Sequence, residues 1–122
     1  MKTLSGIAAL SLACLAGPAC LNAAAAELRG NPLAAMQSAQ SPRTYSDCVV
    51  ANAQRNTLAV EKKTGPVNGS FEVRVKNIVD GALIEAFLAD VLPEKTGSAV
   101  RIYVDPGVLA PEKMQAVLLQ GC

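Results

Sequence analysis

Residues 79 to 92 read Val79-Asp80-Gly81-Ala82-Leu83-Ile84-Glu85-Ala86-Phe87-Leu88-Ala89-Asp90-Val91-Leu92. At helical spacing, Leu83, Phe87 and Val91 fall in one row, with Ile84, Leu88 and Leu92 in the row beside it. Ala82, Ala86 and Ala89 fill the gaps between the rows. This periodicity predicts a helix over 79–92 whose apolar stripe is wider than one sheet face requires. Such a helix is either covered by two elements or partly offered to a partner. The flanks alternate instead. Phe71, Val73 and Val75 oppose Glu72, Arg74 and Lys76; Val100, Ile102 and Val104 oppose Arg101 and Tyr103. Each flank predicts a strand with one core face and one wet face. A strand–helix–strand unit of this kind is expected to cross over with the right hand, leaving its two strands parallel.

The remainder attaches to that unit. Thr44 followed by Asp47 resembles a capping box, with Ser46 as a rival cap, for a helix to about Arg55. Thr57 to Lys62 alternates Leu58 and Val60 with more polar neighbours and predicts a first strand. Gly65-Pro66 and Asn68-Gly69 mark a turn, the second pair being favoured in tight hairpins. Asp105-Pro106-Gly107 is a further turn, and Pro111 with Glu112 suits the start of a last helix carrying Met114, Val117 and Leu118 inward. The predicted fold is a small single α+β domain over 44–122. Its order is α-β-β-α-β-α, with a three-stranded sheet, helices on one face and one disulfide.

Residues 1–26 read as a secretory signal peptide: Lys2, an apolar run from Leu4 to Leu15, a break at Gly17-Pro18, and small residues ending at Ala26. The apolar run is too short to span a bilayer, so no span is expected in the mature chain. Cys14 and Cys20 raise lipidation, but Ser11 and Gly17 stand three residues before them where a lipoprotein signal has Leu, and that pattern fits less well. Residues 27–43, rich in Ala, Gln, Ser and Pro, read as a flexible N-terminal tail. The expected location is periplasmic or secreted.

Removing the signal takes Lys2 from the 11 basic residues and leaves ten against ten acidic ones, a neutral chain. Such a chain has no general attraction for nucleic acid or anionic lipid. Cys48 and Cys122 remain. In an oxidising compartment they are expected to pair, although a thiol early in a helix is also the setting of a reactive cysteine.

The reactive inventory is thin. The chain has no His, the commonest general base and metal ligand. It has no glycine-rich phosphate loop and no zinc-type spacing. The expectation is therefore no enzymatic activity, no cofactor and no metal. Binding is more consistent with these residues. Arg74, Lys76, Arg101 and Tyr103 share the outer side of the predicted strands, and Asn68 and Gly69 occupy a turn tip. These six are the candidate interaction surface, facing an acidic protein surface or an added strand.

The runs Val73-Arg74-Val75-Lys76-Asn77-Ile78 and Val100-Arg101-Ile102-Tyr103-Val104-Asp105-Pro106, with Ala82-Leu83 and Leu88-Ala89 between them, resemble a known envelope domain. It is the small periplasmic domain at the N-terminus of secretins and some TonB-dependent transducers. The likeness is confined to 71–106. It departs in lacking a further strand before the last helix, and the cysteine pair is not a family hallmark. The resemblance implies a docking module of the bacterial cell envelope with no catalytic residues. The leading expectation is a small exported protein-binding or adaptor domain whose partner is another envelope or secreted protein. The alternative is a secreted inhibitor or immunity-type protein acting through 64–70 or 105–110.

Overall fold

The structure, a computed structural model, describes residues 28–30 and 32–122. The predicted signal peptide, its cleavage near Ala26, and Cys14 and Cys20 lie outside the described residues. Residues 32–122 form one compact unit. Its elements are β1 (Ala34–Ser38), α1 (Pro42–Arg55), β2 (Ala59–Thr64), β3 (Phe71–Val79), β4 (Ala82–Glu94), β5 (Gly97–Val104) and α2 (Pro111–Leu118).

The five strands make one sheet in the order β1-β5-β4-β3-β2, antiparallel at every step. Helix α1 carries the chain from one edge of the sheet to the other. The meander β2-β3-β4-β5 then walks back and closes on β1.

This overturns the predicted α-β-β-α-β-α order and three-stranded sheet. The helix expected over 79–92 is a hairpin turn followed by most of β4. Asp80 and Gly81 both have positive φ (51° and 80°). That is the backbone of a two-residue type I′ turn, whose twist matches the strands it joins. Strands β3 and β5 do run in the same direction, but β4 lies between them as their common antiparallel neighbour. The segment read as part of a tail is also corrected. Ala34–Ser38 pairs residue for residue with Ser98–Ile102 as an edge strand.

Helix α1 starts earlier than the capping box suggested. Ser41 is its N-cap, accepting from the Thr44 N–H through Oγ at 3.2 Å, with Pro42 following it. Tyr45, Val49 and Ala53 recur every fourth residue and are buried against Val73, Val75, Phe87, Ala89, Val91, Val100, Ile102 and Leu118. Both helices therefore cover the same face of the sheet. Ser46, also buried, satisfies its hydroxyl by donating to the Pro42 carbonyl at 2.7 Å. Buried Asn52 donates to the carbonyls of Leu118 and Gln120 at 2.8 and 2.9 Å, fixing the C-terminal end of α2 to α1. Cys48 and Cys122 are joined as a disulfide beside this contact.

Pro93 stands near the end of β4 without breaking a ladder. It lies past Val91, the β4 residue paired with Phe71 at the start of β3, so its missing N–H faces an unpaired flank.

Burial raises the Tyr45 pKa above its ordinary 10.0. The folded state then holds the phenol proton more tightly than the unfolded chain does. The associated stability is complete below pH 10.0 and is lost as pH rises through the folded-state pKa. Tyr45→Phe is accordingly expected to fall less steeply in Tm than the wild type in alkaline buffers. Parallel declines would contradict it.

Candidate functional site

Register decides what the outer face of the sheet can do. One rung across it reads Lys63–Glu72–Asp90–Arg101, and the next reads Glu61–Arg74–Leu88–Tyr103. Lys76 lies opposite Glu85. Each cation on this face thus has a carboxylate beside it on a neighbouring strand. Arg74 is buried and donates to Glu72 at 3.1 Å and Glu85 at 2.7 Å. Burial pulls its pKa down, but the hydrogen bonds and charges of Glu85 and Glu72 outweigh that and hold it above the ordinary guanidinium value. Tyr103 is buried as well, while Arg101 is exposed. The structure therefore brings Arg74, Lys76, Arg101 and Tyr103 onto one charge-balanced face of the sheet, with Arg74 and Tyr103 buried in it.

Asn68 and Gly69 lie elsewhere. They belong to the β2–β3 turn, where Gly65 N–H donates to the Ser70 carbonyl and Ser70 Oγ donates to the Val67 carbonyl. Gly69 takes the positive φ (83°) and sits beside Pro93. This turn is at the β4–β5 hairpin end of the sheet. The 105–110 loop follows β5 at the opposite end, so the two loops named in the inhibitor alternative cannot act as one surface.

The most apolar exposed region falls largely in the stretch expected to be an over-apolar helix, outside the six residues of the candidate surface. Strand β2 pairs with β3 only up to Lys76, and β5 pairs with β4 only from Phe87. The last bond on that side runs from Asp105 N–H to the Ala86 carbonyl. Beyond these points, among the described strands, β3 and β4 continue by themselves as a two-stranded arm through the Asp80-Gly81 turn. A bulge starts the arm: Val75 faces Phe87, Lys76 faces Glu85, and Ala86 is the extra residue. The bulge places Glu85 on the outer face, within reach of Arg74. It also turns Ile84 toward the helix side, where Asn77 already lies by alternation from Val75, and the two line a cleft with Asp105, Val108, Leu109 and Met114. Ile78 and Leu83, paired across the arm and next in the alternation, face the other way.

The arm is consequently apolar on both sides. Ile78 is 69% exposed, Leu83 60% and Ile84 40%. Leu109, in the loop before α2, is 93% exposed. It separates two hollows: the arm cleft of about 510 Å³ and a shallower one of about 300 Å³ toward Leu58 and Val117. The loop is held rather than loose. Asp105 Oδ1 accepts from Gly107 N–H at 2.8 Å, and Val108 N–H donates to the Asp105 carbonyl at 2.9 Å. Ala110 enters α2 with φ 54°, a left-handed backbone uncommon for a residue with a Cβ.

No protein-family model matches this chain, and no curated protein or solved structure is significantly similar to it. Function has to be argued from the site itself. Among the described residues, no group of three or more His, Cys, Asp or Glu side chains is placed to hold a metal ion. No described helix is long and apolar enough to cross a membrane. The arm cleft presents one carboxylate, Asp105, among mostly apolar walls.

The Asp80-Gly81 pair was the available signal for the arm. Asp-Gly between alternating apolar residues is a strong short-range mark of a hairpin. It was obscured by the helical spacing of the residues after it.

Proposed function

We propose that this protein is a small exported, non-enzymatic protein-binding domain of the bacterial cell envelope, docking through the β3–β4 arm and the 105–110 loop. The observation that carries this reading is the concentration of exposed large apolar side chains at one end of the sheet. Ile78, Leu83, Ile84 and Leu109 are four of the six such residues among those described. Singly exposed apolar residues are ordinary, whereas four at one end of the sheet, Ile78 and Leu83 on one side of the arm and Ile84 and Leu109 at the cleft on the other, mark an interaction site. Two strands with no neighbouring strand among the described residues are marginal in water, so a partner that covers the arm also completes it. Export is supported by the signal-like 1–26 and by a disulfide, which persists in an oxidising compartment. The resemblance to secretin and TonB-transducer domains points to the same class of role. However, the Ala82-Leu83 and Leu88-Ala89 pairs that it carries lie in β4.

A second reading, the secreted inhibitor, is favoured by Leu109 alone. A nearly fully exposed leucine on a hydrogen-bonded loop is the form of an anchor that fills a target's pocket.

Affinity capture from envelope extract separates the readings. The wild-type chain is expected to retain a partner that Ile78→Lys with Leu83→Lys loses by about tenfold or more. Leu109→Asp alone is expected to weaken capture less. Loss through Leu109→Asp alone, with a soluble enzyme as the captured species, favours the inhibitor. Capture unchanged by all three substitutions contradicts both.

A further inference from the structure

The arm cleft has a feature that side-chain exposure alone does not describe: a vacant strand position. Strand β5 stops being β4's neighbour at Val104, and the chain turns away at Asp105. The next stretch of β4, residues 82–85, has no described strand on that side. Pairing alternates along a hairpin, so its orientation can be followed from the turn. Val79 and Ala82 flank the two-residue turn and bond to each other, as do Asn77 and Ile84. The N–H and C=O groups of Leu83 and Glu85 therefore point away from β3, into the vacancy. Ile84, within the same stretch, lines the cleft with Val108, Leu109 and Met114, its apolar wall.

We infer that this vacancy receives an extended segment of the partner protein. The segment adds to β4 in line with β5, its alternate side chains apolar toward the cleft, and its flanking residues basic. This inference rests on the docking reading above and names how that docking is made. Main-chain bonds to Leu83 and Glu85 supply register, and the cleft supplies side-chain preference.

The charge preference follows from the surroundings. Asp105 lines the cleft and Asp80 sits at the arm's tip, while no cation stands among the described residues lining the cleft. Glu85 is neutralised by Arg74 at 2.7 Å, which leaves the two aspartates to select. The same charges disfavour a second copy of this chain as occupant. An arm pairing with its own copy would bring Asp80 of one toward Asp105 of the other, a like-charge contact. The two ordinary sheet edges are less suitable for a basic segment. Strand β2 carries Glu61, Lys62 and Lys63, the charged edge that resists strand addition. Strand β1 is uncharged and offers no such selection.

The test is a titration of the ¹⁵N-labelled full chain with synthetic peptides of about nine residues. The probe alternates Val with Thr and ends in Lys at both ends. Its controls carry Glu in place of Lys, or a central Pro. The Lys peptide is expected to bind, with amide exchange slowed at Leu83 and Glu85 and shifts at Val108 and Leu109. The Glu and Pro peptides are expected to bind about tenfold more weakly or not at all, and Leu109→Asp to weaken the Lys peptide by a similar factor. Sedimentation of the chain alone is expected to show no arm-dependent dimer.

Binding with no preference between Lys and Glu ends, protection at Ala35 and Gln37 instead, a dimer abolished by Leu83→Lys, or no binding by any peptide would each overturn the inference. The docking reading is tested separately. If the envelope partner is still lost on Ile78→Lys with Leu83→Lys while these peptides fail, the arm docks by side chains alone. If capture is indifferent to the arm, the reading itself falls.

Discussion

Replacing both Cys48 and Cys122 by serine is expected to lower the folding free energy by roughly 4–5 kcal/mol. The bond joins residues 74 apart in sequence, and loop-closure entropy in the unfolded chain grows with the logarithm of that span. Total stability for a domain of this size is about 5–15 kcal/mol, so the loss is a large share of the whole. The fold explains where the damage would be felt first. The bond ties the first half of α1 to the chain's last residue, and α2 contributes only Leu118 as a fully buried side chain. Without the bond, the Asn52 hydrogen bonds to Leu118 and Gln120 remain as the main polar tie between the two helices. Urea unfolding of the wild type and the double serine variant measures the difference. A loss under about 1 kcal/mol would mean that the unfolded chain gains little freedom from opening the loop.

The second large effect is expected at Gly97. It opens β5 with φ 103°, a conformation nearly closed to residues with a side chain. A Cβ there would also collide with the Ser38 carbonyl oxygen and press on the Ala39 backbone, where β1 ends against the start of β5. Neither obstacle is a flexible side chain. Gly97→Ala is therefore expected to cost about 3 kcal/mol or more, from backbone strain and forced displacement together. Relief would come by pushing β1 off the sheet, so amide protection should fall first at Ala34–Ser38 and leave β3 and β4 intact. Gly81→Ala is the informative contrast. It shares a positive φ, but its added Cβ meets nothing within 4 Å, so only strain remains. Equal costs at the two positions would remove the packing argument for β1.

The elements that were legible from sequence are those with local signals. Helix α1, the β2–β3 hairpin, β5 and α2 are marked by caps, prolines, glycines or strict alternation. Residues 79–92 were misread for a definable reason. Phe87 and Val91 are four apart, a spacing that satisfies a helix and equally keeps strand parity, while Leu83 extends the helical row but is put on the opposite face by the bulge at Ala86. Strand β4 is central, and Ala86, Phe87, Leu88 and Ala89 are all buried. A strand whose residues on both faces are buried loses the polar residues whose alternation would have broken the tie. Asp80-Gly81 could have broken it, since both are poor choices for a helix and good ones for a type I′ turn.

Strand β1 was illegible for another reason. Ala34, Met36 and Ser38 alternate too weakly to signal a strand, and their pairing depends on residues 98–102, far along the chain. The candidate surface was half readable. Alternation placed Arg74, Lys76, Arg101 and Tyr103 on one face. The carboxylates that balance them come from register and from the bulge at Val75/Lys76, which no local pattern records. The excess of apolar residues in 79–92 was legible as a candidate partner surface, but helical spacing hid that they form a two-stranded arm.

The central claim is that the partner docks on the β3–β4 arm rather than on the charge-balanced sheet face or the β2–β3 turn. Site-specific photo-crosslinking in intact cells addresses it most directly, with the photoreactive side chain placed in turn at Leu83, Arg101 and Asn68. All three lie on the surface, so each variant is expected to fold. A single crosslinked partner is expected from Leu83, with none from Arg101 or Asn68. A partner captured from Arg101 or Asn68, with Leu83 silent, would contradict the claim.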